Sequence, residues 1–368
     1  MKLAFLSNYF NHHQKQFAEE MSKRCEFTFI ETGYMPKERK AFGYQDEARP
    51  EYVKHFKNKE ECEKIIDDAD VVVFGSAPDE IVKKLAKEKK PIFKYSERIY
   101  KIKPKWYELP LRAIKYSKEN KNFYLLCASA YTASDYAKTG TFKKKSFKWG
   151  YFPECKSYES IDTLISQKQK NSILWCGRII DWKHPEYAIK LAKRLKDDGY
   201  DFQLSIVGDG TRLGELIQLS YTLDVEDKVQ LLGSMTPDDV RAKMEQSEIF
   251  IATSDRKEGW GAVINEAMNS GCAVVASNEM GAAPYLIKNG ENGLLYFNDD
   301  ENQLYENVKA LLDDEKKRVE YSKNAYKAIT EEWNGIVAAE RIIKLAQDIM
   351  DGKDGTKSFD CGICSSAR

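Results

Sequence analysis

The chain has 368 residues, 42% hydrophobic and 32% charged, with 58 basic residues against 58 acidic ones. That length exceeds one small core and predicts two domains, and the balanced charge excludes any argument from net charge toward nucleic acid or acidic substrates. No apolar run approaches the length of a membrane span.

The N-terminal text "MKLAFLSNYFNHHQ" has an apolar segment too short, and too broken by Asn and His, for a signal peptide. It reads as a strand followed by a loop. Further strands are predicted over 26–31, 70–75, 91–96 and 122–129, after the first over 2–7. Helical stretches alternate with them, for example 78–90, with Ile81, Val82, Leu85 and Ala86 on one face. Strands alternating with helices predict a parallel sheet covered on both faces. His12 and His13 follow the first strand, where an imidazole orients a hydroxyl, shuttles a proton or caps the next helix. Glu97 and Arg98 follow the fourth strand, and an acceptor role for them stays open.

Between Lys83 and Asn122 stand fourteen Lys or Arg and four Glu, interleaved with Phe93, Tyr95, Tyr100, Trp106, Tyr107 and Tyr116. This pattern fits either a solvated face or a surface for anionic lipid headgroups, with aromatics settling at the interface. No nucleic-acid recognition motif accompanies it. A polar stretch over 151–170 reads as a linker.

A second series of strands is predicted over 171–177, 202–210, 228–233, 248–253, 272–277 and 293–297. Helices are expected over 185–199, 237–247 and most of 301–351, followed by a loose polar tail. Domains are therefore expected over 1–150 and 171–335, with 336–368 as a terminal helix and tail. Cys127, Cys176 and Cys272 lie in or beside apolar runs and read as small buried hydrophobes. Cys361 and Cys364 have redox or metal spacing but stand alone, so a reduced, cytoplasmic protein is expected.

The loops after the second-half strands carry the chemistry. "GRIIDWKHP" brings Arg178 and Lys183, "GDG" begins at Gly208, "GSM" covers Gly233, Ser234 and Met235, and "SDRKEGWG" leads to a helix start near Gly261. Cations, glycines and a helix start together suit an anion such as phosphate. Glu266 suits a vicinal diol, and Glu258 suits sugar hydroxyls.

On "GR…K", "VGDG", "LLG", "EGWGAVINEA" and "GCAVVAS…GAAPYLIKNGENGLLY", the sequence resembles the group 1 (family 4) glycosyltransferases over about 168–300. The resemblance implies an α/β fold of two Rossmann-like, doubly wound domains facing a cleft, the GT-B architecture. It implies a retaining transferase that moves a sugar from a UDP-sugar or GDP-sugar to a glycan or lipid-linked acceptor hydroxyl, most readily in bacterial surface-polysaccharide or glycolipid assembly. In it Arg178 and Lys183 hold the diphosphate, Glu266 the ribose and Glu258 the donor sugar, with the backbone near Gly233, Ser234 and Met235 against the base. Gly208, Gly259, Trp260, Gly261 and Ala262 complete the donor contacts, and His12 and His13 are the remaining catalytic candidates.

No metal or other cofactor is expected, because cationic side chains and a helix end can carry the leaving-group charge. The expected location is cytoplasmic, peripheral on the inner face of the plasma membrane if 83–122 is a lipid surface and not a solvated face, and no nucleic-acid partner is expected. Three departures stand out. His184 occupies a position where the family often has Gly, Asn265 one where it commonly has a branched apolar residue, and the loop "SNYFNHHQKQF" lacks the glycines of many relatives. A GT-B epimerase or phosphorylase and a non-catalytic assembly or regulatory subunit are the rival readings.

Overall fold

The computed structural model describes residues 1–35, 49–102, 105, 108–120, 123–297 and 300–367. Contacts divide the chain into two units, with Cys155–Glu331 in the second and Glu332–Arg368 returned to the first. Each unit is built on one sheet of parallel strands.

The first unit holds β1 (Lys2–Ser7), β2 (Glu26–Glu31), β3 (Val53–His55), β4 (Val71–Phe74), β5 (Ile92–Ser96), β6 (Phe123–Cys127) and β7 (Ser146–Lys148). Their order is β3-β2-β1-β4-β5-β6-β7, so the chain reverses its winding direction between β1 and β4. Residues of β1 and β4 are buried along nearly their whole length, as a strand covered on both faces requires. β3 and β7 are not visible in the sequence. At three residues each, they show no alternation to read.

The second unit holds β8 (Gln169–Cys176), β9 (Gln203–Val207), β10 (Val229–Leu231), β11 (Ser247–Ala252), β12 (Ala273–Ser277) and β13 (Leu294–Tyr296). Their order is β10-β9-β8-β11-β12-β13, and the winding reverses between β8 and β11. Ile173, Trp175, Leu204, Ile206, Ile249 and Ile251 form one face of the core, with Ala188, Ile189 and Ala192 of the helix Pro185–Asp197. Thr236 caps the helix Pro237–Gln246 by accepting from Asp239 N–H, which explains its sharp start.

The expected linker and tail differ from what is found. Within 151–170, Ser160 caps a short helix, Ile161–Ser166, and Tyr158 donates to Glu245 at 2.7 Å. Lys168 ends that stretch buried, its ammonium donating to the carbonyls of Met244, Glu245 and Ser270 at 2.8–3.1 Å. A polar sequence is therefore docked by hydrogen bonds together with the few buried apolar side chains it has, Phe152 and Ile165.

The helix Gly335–Met350 packs on the helix His12–Arg24 of the first unit so closely that a Cβ on Gly335 would lie 2.7 Å from Phe17 N. The expected loose tail is bonded to β7: Ser365 accepts from Lys148 N–H at 2.8 Å, and Ala367 N–H donates to Ser146 at 2.9 Å. Ile363, Cys364 and Ser365 are buried. The tail thus occupies the backbone groups of an edge strand. All eight cysteines are free thiols, with Cys364 buried and Cys361 exposed. Burial pushes the Cys176 thiol up to about 12, which leaves it inert.

Candidate functional site

In open parallel sheets, ligands bind beyond the strand C-termini where the winding reverses. In the second unit that point lies between β8 and β11, and the sequence-predicted residues converge there. The loop after β8 carries Arg178 and Lys183. The loop after β11 carries Glu258 and leads into the helix Val263–Asn269, with Glu266 in its first turn.

Two interactions bind these loops together. Trp175 Nε1–H donates to Thr253 Oγ1 at 2.8 Å, and that hydroxyl donates to the Lys183 carbonyl at 2.5 Å. Asp255 N–H donates to the Trp182 carbonyl at 2.9 Å. With the loops fixed, the Lys183 ammonium and the Glu258 carboxylate form an ion pair, both side chains mostly buried. Arg178 is exposed, its guanidinium 5.4 Å from the centre of the Trp182 ring.

Gly208 has φ +142°, and a Cβ there would lie 1.8 Å from the Gly177 carbonyl oxygen, so only glycine fits. Its N–H donates to Gly233 at 2.8 Å, which ties the loop after β9 to the one carrying Gly233, Ser234 and Met235. Ser234 is exposed, and Gly233 and Met235 are half-buried.

Burial pushes the Glu266 carboxyl above the usual carboxylate range, and the Arg241 guanidinium pulls part of the way back. Arg241 is itself buried and donates to Asn269 Oδ1 at 2.9 Å. Gly259, Gly261 and Ala262 line the loop between the two glutamates, with the two glycines buried and Ala262 half-buried.

Trp260 corrects one expectation. Its indole is 1% exposed and donates to Asn265 Oδ1 at 2.9 Å, so its side chain is core and only its backbone borders the loop. This also accounts for Asn265, whose carbonyl oxygen satisfies a donor that an apolar residue would leave unpaired. Sequence reasoning missed the Trp175–Thr253 link. Its only trace was a threonine ending the run "EIFIAT".

In the first unit, winding reverses between β1 and β4. Ser7 Oγ lies 2.8 Å from Tyr95 OH, and Gln14 Nε2 donates to Ser7 Oγ at 3.2 Å. Burial pushes the Tyr95 phenol up to about 12, so it stays protonated and acts as a hydrogen-bonding group rather than a base. His12 and His13 open the helix His12–Arg24 at this strand end, their ring centroids 3.8 Å apart, and Asn11 caps the helix by accepting from His13 N–H at 3.0 Å.

Glu97 and Arg98 have structural partners. Glu97 accepts from Tyr151 OH at 2.9 Å and from Lys101 at 3.1 Å, while buried Arg98 lies 3.7 Å from Asp135.

The basic stretch also departs from expectation. Phe93, Tyr100 and Tyr116 are buried, and Tyr95 bonds Ser7, so these aromatics do not line an interface. Trp106, Tyr107 and Asn122 lie outside the described residues. The exposed apolar side chains there are Ile102 at 73%, Leu111 at 64% and Ile114 at 66%, the last two on the helix Glu108–Asn120. Among the described residues, no helix is long and apolar enough to cross a membrane.

Comparison with known proteins agrees with this fold. Residues 159–328 match the family described as "Glycosyl transferases group 1". A Campylobacter jejuni relative, N-acetylgalactosamine-N,N'-diacetylbacillosaminyl-diphospho-undecaprenol 4-alpha-N-acetylgalactosaminyltransferase, is 35% identical over 154 residues, 42% of this chain and 40% of its own length. The chain spans 40–50% of the length of the first curated relatives it matches. The fold extends further than the sequence similarity. Anabaena Alr3699/HepE in complex with UDP has a TM-score of 0.71 at 16% identity, covering 95% of this chain and 100% of that one. A glycosyltransferase from Rickettsia africae ESF-5 gives a TM-score of 0.71 at 15% identity, covering 95% and 99%. The chain thus has the α/β fold of the GT-B glycosyltransferases, and its second unit resembles the group 1 family in sequence.

Proposed function

We propose that this chain is a glycosyltransferase that moves a sugar from a nucleoside diphosphate sugar to an acceptor hydroxyl, with retention at the anomeric carbon. The observation that carries the reading is that Lys183, Glu258 and Glu266 follow the adjacent strands β8 and β11 at one end of the second unit's sheet. Two loops locked by Thr253 and Asp255 hold them there.

In this reading the donor diphosphate lies against Lys183 and Arg178, which stabilise the negative charge that grows as the glycosidic bond to phosphate breaks. Such preorganised charges are usually the largest catalytic term. Glu266 accepts from the ribose hydroxyls, and Glu258 orients the sugar, which shortens the search for the reactive geometry. The loops at Gly208 and at Gly233–Met235 border the base, with Gly259–Ala262 along the diphosphate. His12 and His13 are the acceptor-side candidates in the first unit. No metal is required, since side-chain cations take its place, and a chelator that abolished transfer would overturn this point.

Relatives whose names specify undecaprenol-linked acceptors support a lipid-linked glycan acceptor and a place in surface-polysaccharide or glycolipid assembly. A cytoplasmic protein resting on an anionic membrane fits such an acceptor. The proposed contact is the face of the helix Glu108–Asn120 with Leu111 and Ile114, beside the exposed Lys115. Among the described residues there, the exposed apolar side chains are aliphatic.

The test is calorimetry with UDP, GDP and their sugar conjugates on wild type and Glu266→Ala. Selective binding that the substitution weakens at least tenfold, the scale of a lost charged hydrogen bond, supports the site and names the base. A folded wild type that binds no nucleotide overturns the reading in favour of an assembly subunit. Release of an altered nucleotide sugar without acceptor, or a need for inorganic phosphate, replaces it with an epimerase or a phosphorylase.

A further inference from the structure

The residue after Lys183 is His184, at φ +47° and ψ +52°. This left-handed backbone is free for glycine and strained for most residues with a Cβ, with Asn, Asp and His the side chains that adopt it most readily. A strained histidine beside the site cation calls for a reason, and its ring provides one.

His184 Nδ1 lies 3.0 Å from Glu186 Oε1, and Nε2 lies 3.5 Å from Asp255 Oδ2. Glu186 belongs to the helix that follows the Lys183 loop. Asp255 belongs to the loop after β11, where its carbonyl accepts from Glu258 N–H at 3.0 Å and its carboxylate from Lys257 N–H at 2.7 Å. The ring stacks on Tyr187 at 4.9 Å. The other charged groups around it are Lys183, paired with Glu258, and Arg212, which donates to Glu186 Oε2 at 2.8 Å and lies 3.4 Å from Asp181.

We infer that His184 is a positioning residue that couples the Lys183 loop to the Glu258 loop, by bridging Glu186 on one side to Asp255 on the other. The inference rests on the donor-site reading above and adds what keeps its diphosphate and sugar contacts in fixed relation. Glycine would relax the backbone but could not make the bridge.

The bridge is strongest with the imidazole charged. The hydrogen bond to Glu186 raises the His184 pKa above its ordinary value, burial opposes this, and Asp255 adds to the rise. A raised pKa means the favourable interaction is fully present below the unfolded value and is lost as pH rises through the folded one. Coupling therefore fades as pH rises above the ordinary histidine range.

The experiment measures UDP binding by calorimetry, with thermal unfolding in parallel, for the full chain and for His184→Gly, His184→Asn and Asp255→Asn. His184→Gly is expected to melt close to the wild-type temperature, since relief of the left-handed residue offsets the lost contacts to Glu186 and Asp255. It should nevertheless bind UDP about tenfold more weakly at about pH 6, with the gap closing to about twofold near pH 8.5. His184→Asn, which tolerates this backbone but cannot carry charge, should track the glycine variant. Combining His184→Gly with Asp255→Asn should weaken binding no further than Asp255→Asn alone.

Equal affinity of wild type and His184→Gly at both pH values overturns the inference alone. So does a loss that is the same at both pH values and comes with a lower melting temperature, which marks a purely structural role. Failure of the folded wild type to bind UDP or GDP overturns the donor-site reading itself, and this inference with it.

Discussion

Lys183 and Glu258 come from loops after different strands, β8 and β11, yet their side chains form one ion pair. In the proposed donor site the pair sets two demands in competition, the ammonium serving the diphosphate and the carboxylate the sugar. A donor that supplies both phosphate and hydroxyls satisfies each partner anew. A bare nucleoside diphosphate must instead compete with Glu258 for the cation.

Glu258→Gln removes that competitor while keeping the shape. It should bind UDP as tightly as wild type or more tightly, while transfer slows by about a hundredfold, because the sugar loses its orienting carboxylate. Lys183→Ala should weaken UDP binding by ~1.5–3 kcal/mol, the range for a charge-assisted hydrogen bond. Calorimetry and steady-state transfer rates separate the two effects. Parallel losses of affinity and rate in Glu258→Gln would show that the carboxylate serves binding alone.

Glu266 gives a prediction in which stability and binding move in opposite directions. Its carboxyl is pushed above the ordinary range by burial, with Arg241 opposing. The neutral form is therefore favoured in the fold; that contribution is present below the unfolded pKa and is lost as pH rises through the folded one. At neutral pH, Glu266→Gln should be more stable than wild type, and near pH 4 the two should match. In the proposed site, where ribose hydroxyls donate to the carboxylate and so favour its charged form, wild-type affinity for uridine should rise with pH across this titration. The Gln variant should bind at least tenfold more weakly at pH 7, with a flat profile. Urea unfolding and calorimetry over the same pH series check both signs.

The strands around this site were legible because they are short apolar runs punctuated by glycines, and all six of the second unit fall within three residues of their expected ends. The placement of Arg178, Lys183, Glu258 and Glu266 after β8 and β11 was legible too, since loops after parallel strands share one end of a sheet. Side-chain partners were not. Nothing in spacing shows that Trp260 points into the core toward Asn265, that Phe93 and Tyr100 are buried while Ile102 is not, or that Lys168 sits among three carbonyls. Those depend on packing between elements distant in sequence. The tail is illegible for the same reason: its order comes from backbone bonds to β7, which composition cannot record.

Asn265 stands where an apolar residue would suit a buried helix face, and its oxygen satisfies the Trp260 indole. Asn265→Leu should leave a buried donor unpaired at a cost of ~1–3 kcal/mol. For a domain of this size, each kcal/mol lowers the melting temperature by roughly 2–4 °C. Adding Trp260→Phe to Asn265→Leu removes the orphaned donor and should recover part of the loss. An Asn265→Leu protein that melts at the wild-type temperature would show that the indole finds another acceptor.

The helix Glu108–Asn120 presents Leu111 and Ile114 three residues apart on one exposed face, next to Lys115. Two aliphatic side chains in water gain little within the unit itself, whereas a bilayer surface would bury them and attract the surrounding lysines. Each lysine near an anionic leaflet contributes about 1 kcal/mol, screened by salt. Co-sedimentation with vesicles rich in anionic lipid should therefore show binding at low salt that fades as salt is added. Leu111→Glu combined with Ile114→Glu should reduce that binding about tenfold without lowering the melting temperature, since both positions are exposed. Neutral vesicles should bind weakly in either case. If the wild type ignores anionic vesicles at low salt, this helix face does not contact a membrane. Binding that neither salt nor the double substitution alters would place the contact elsewhere on the protein.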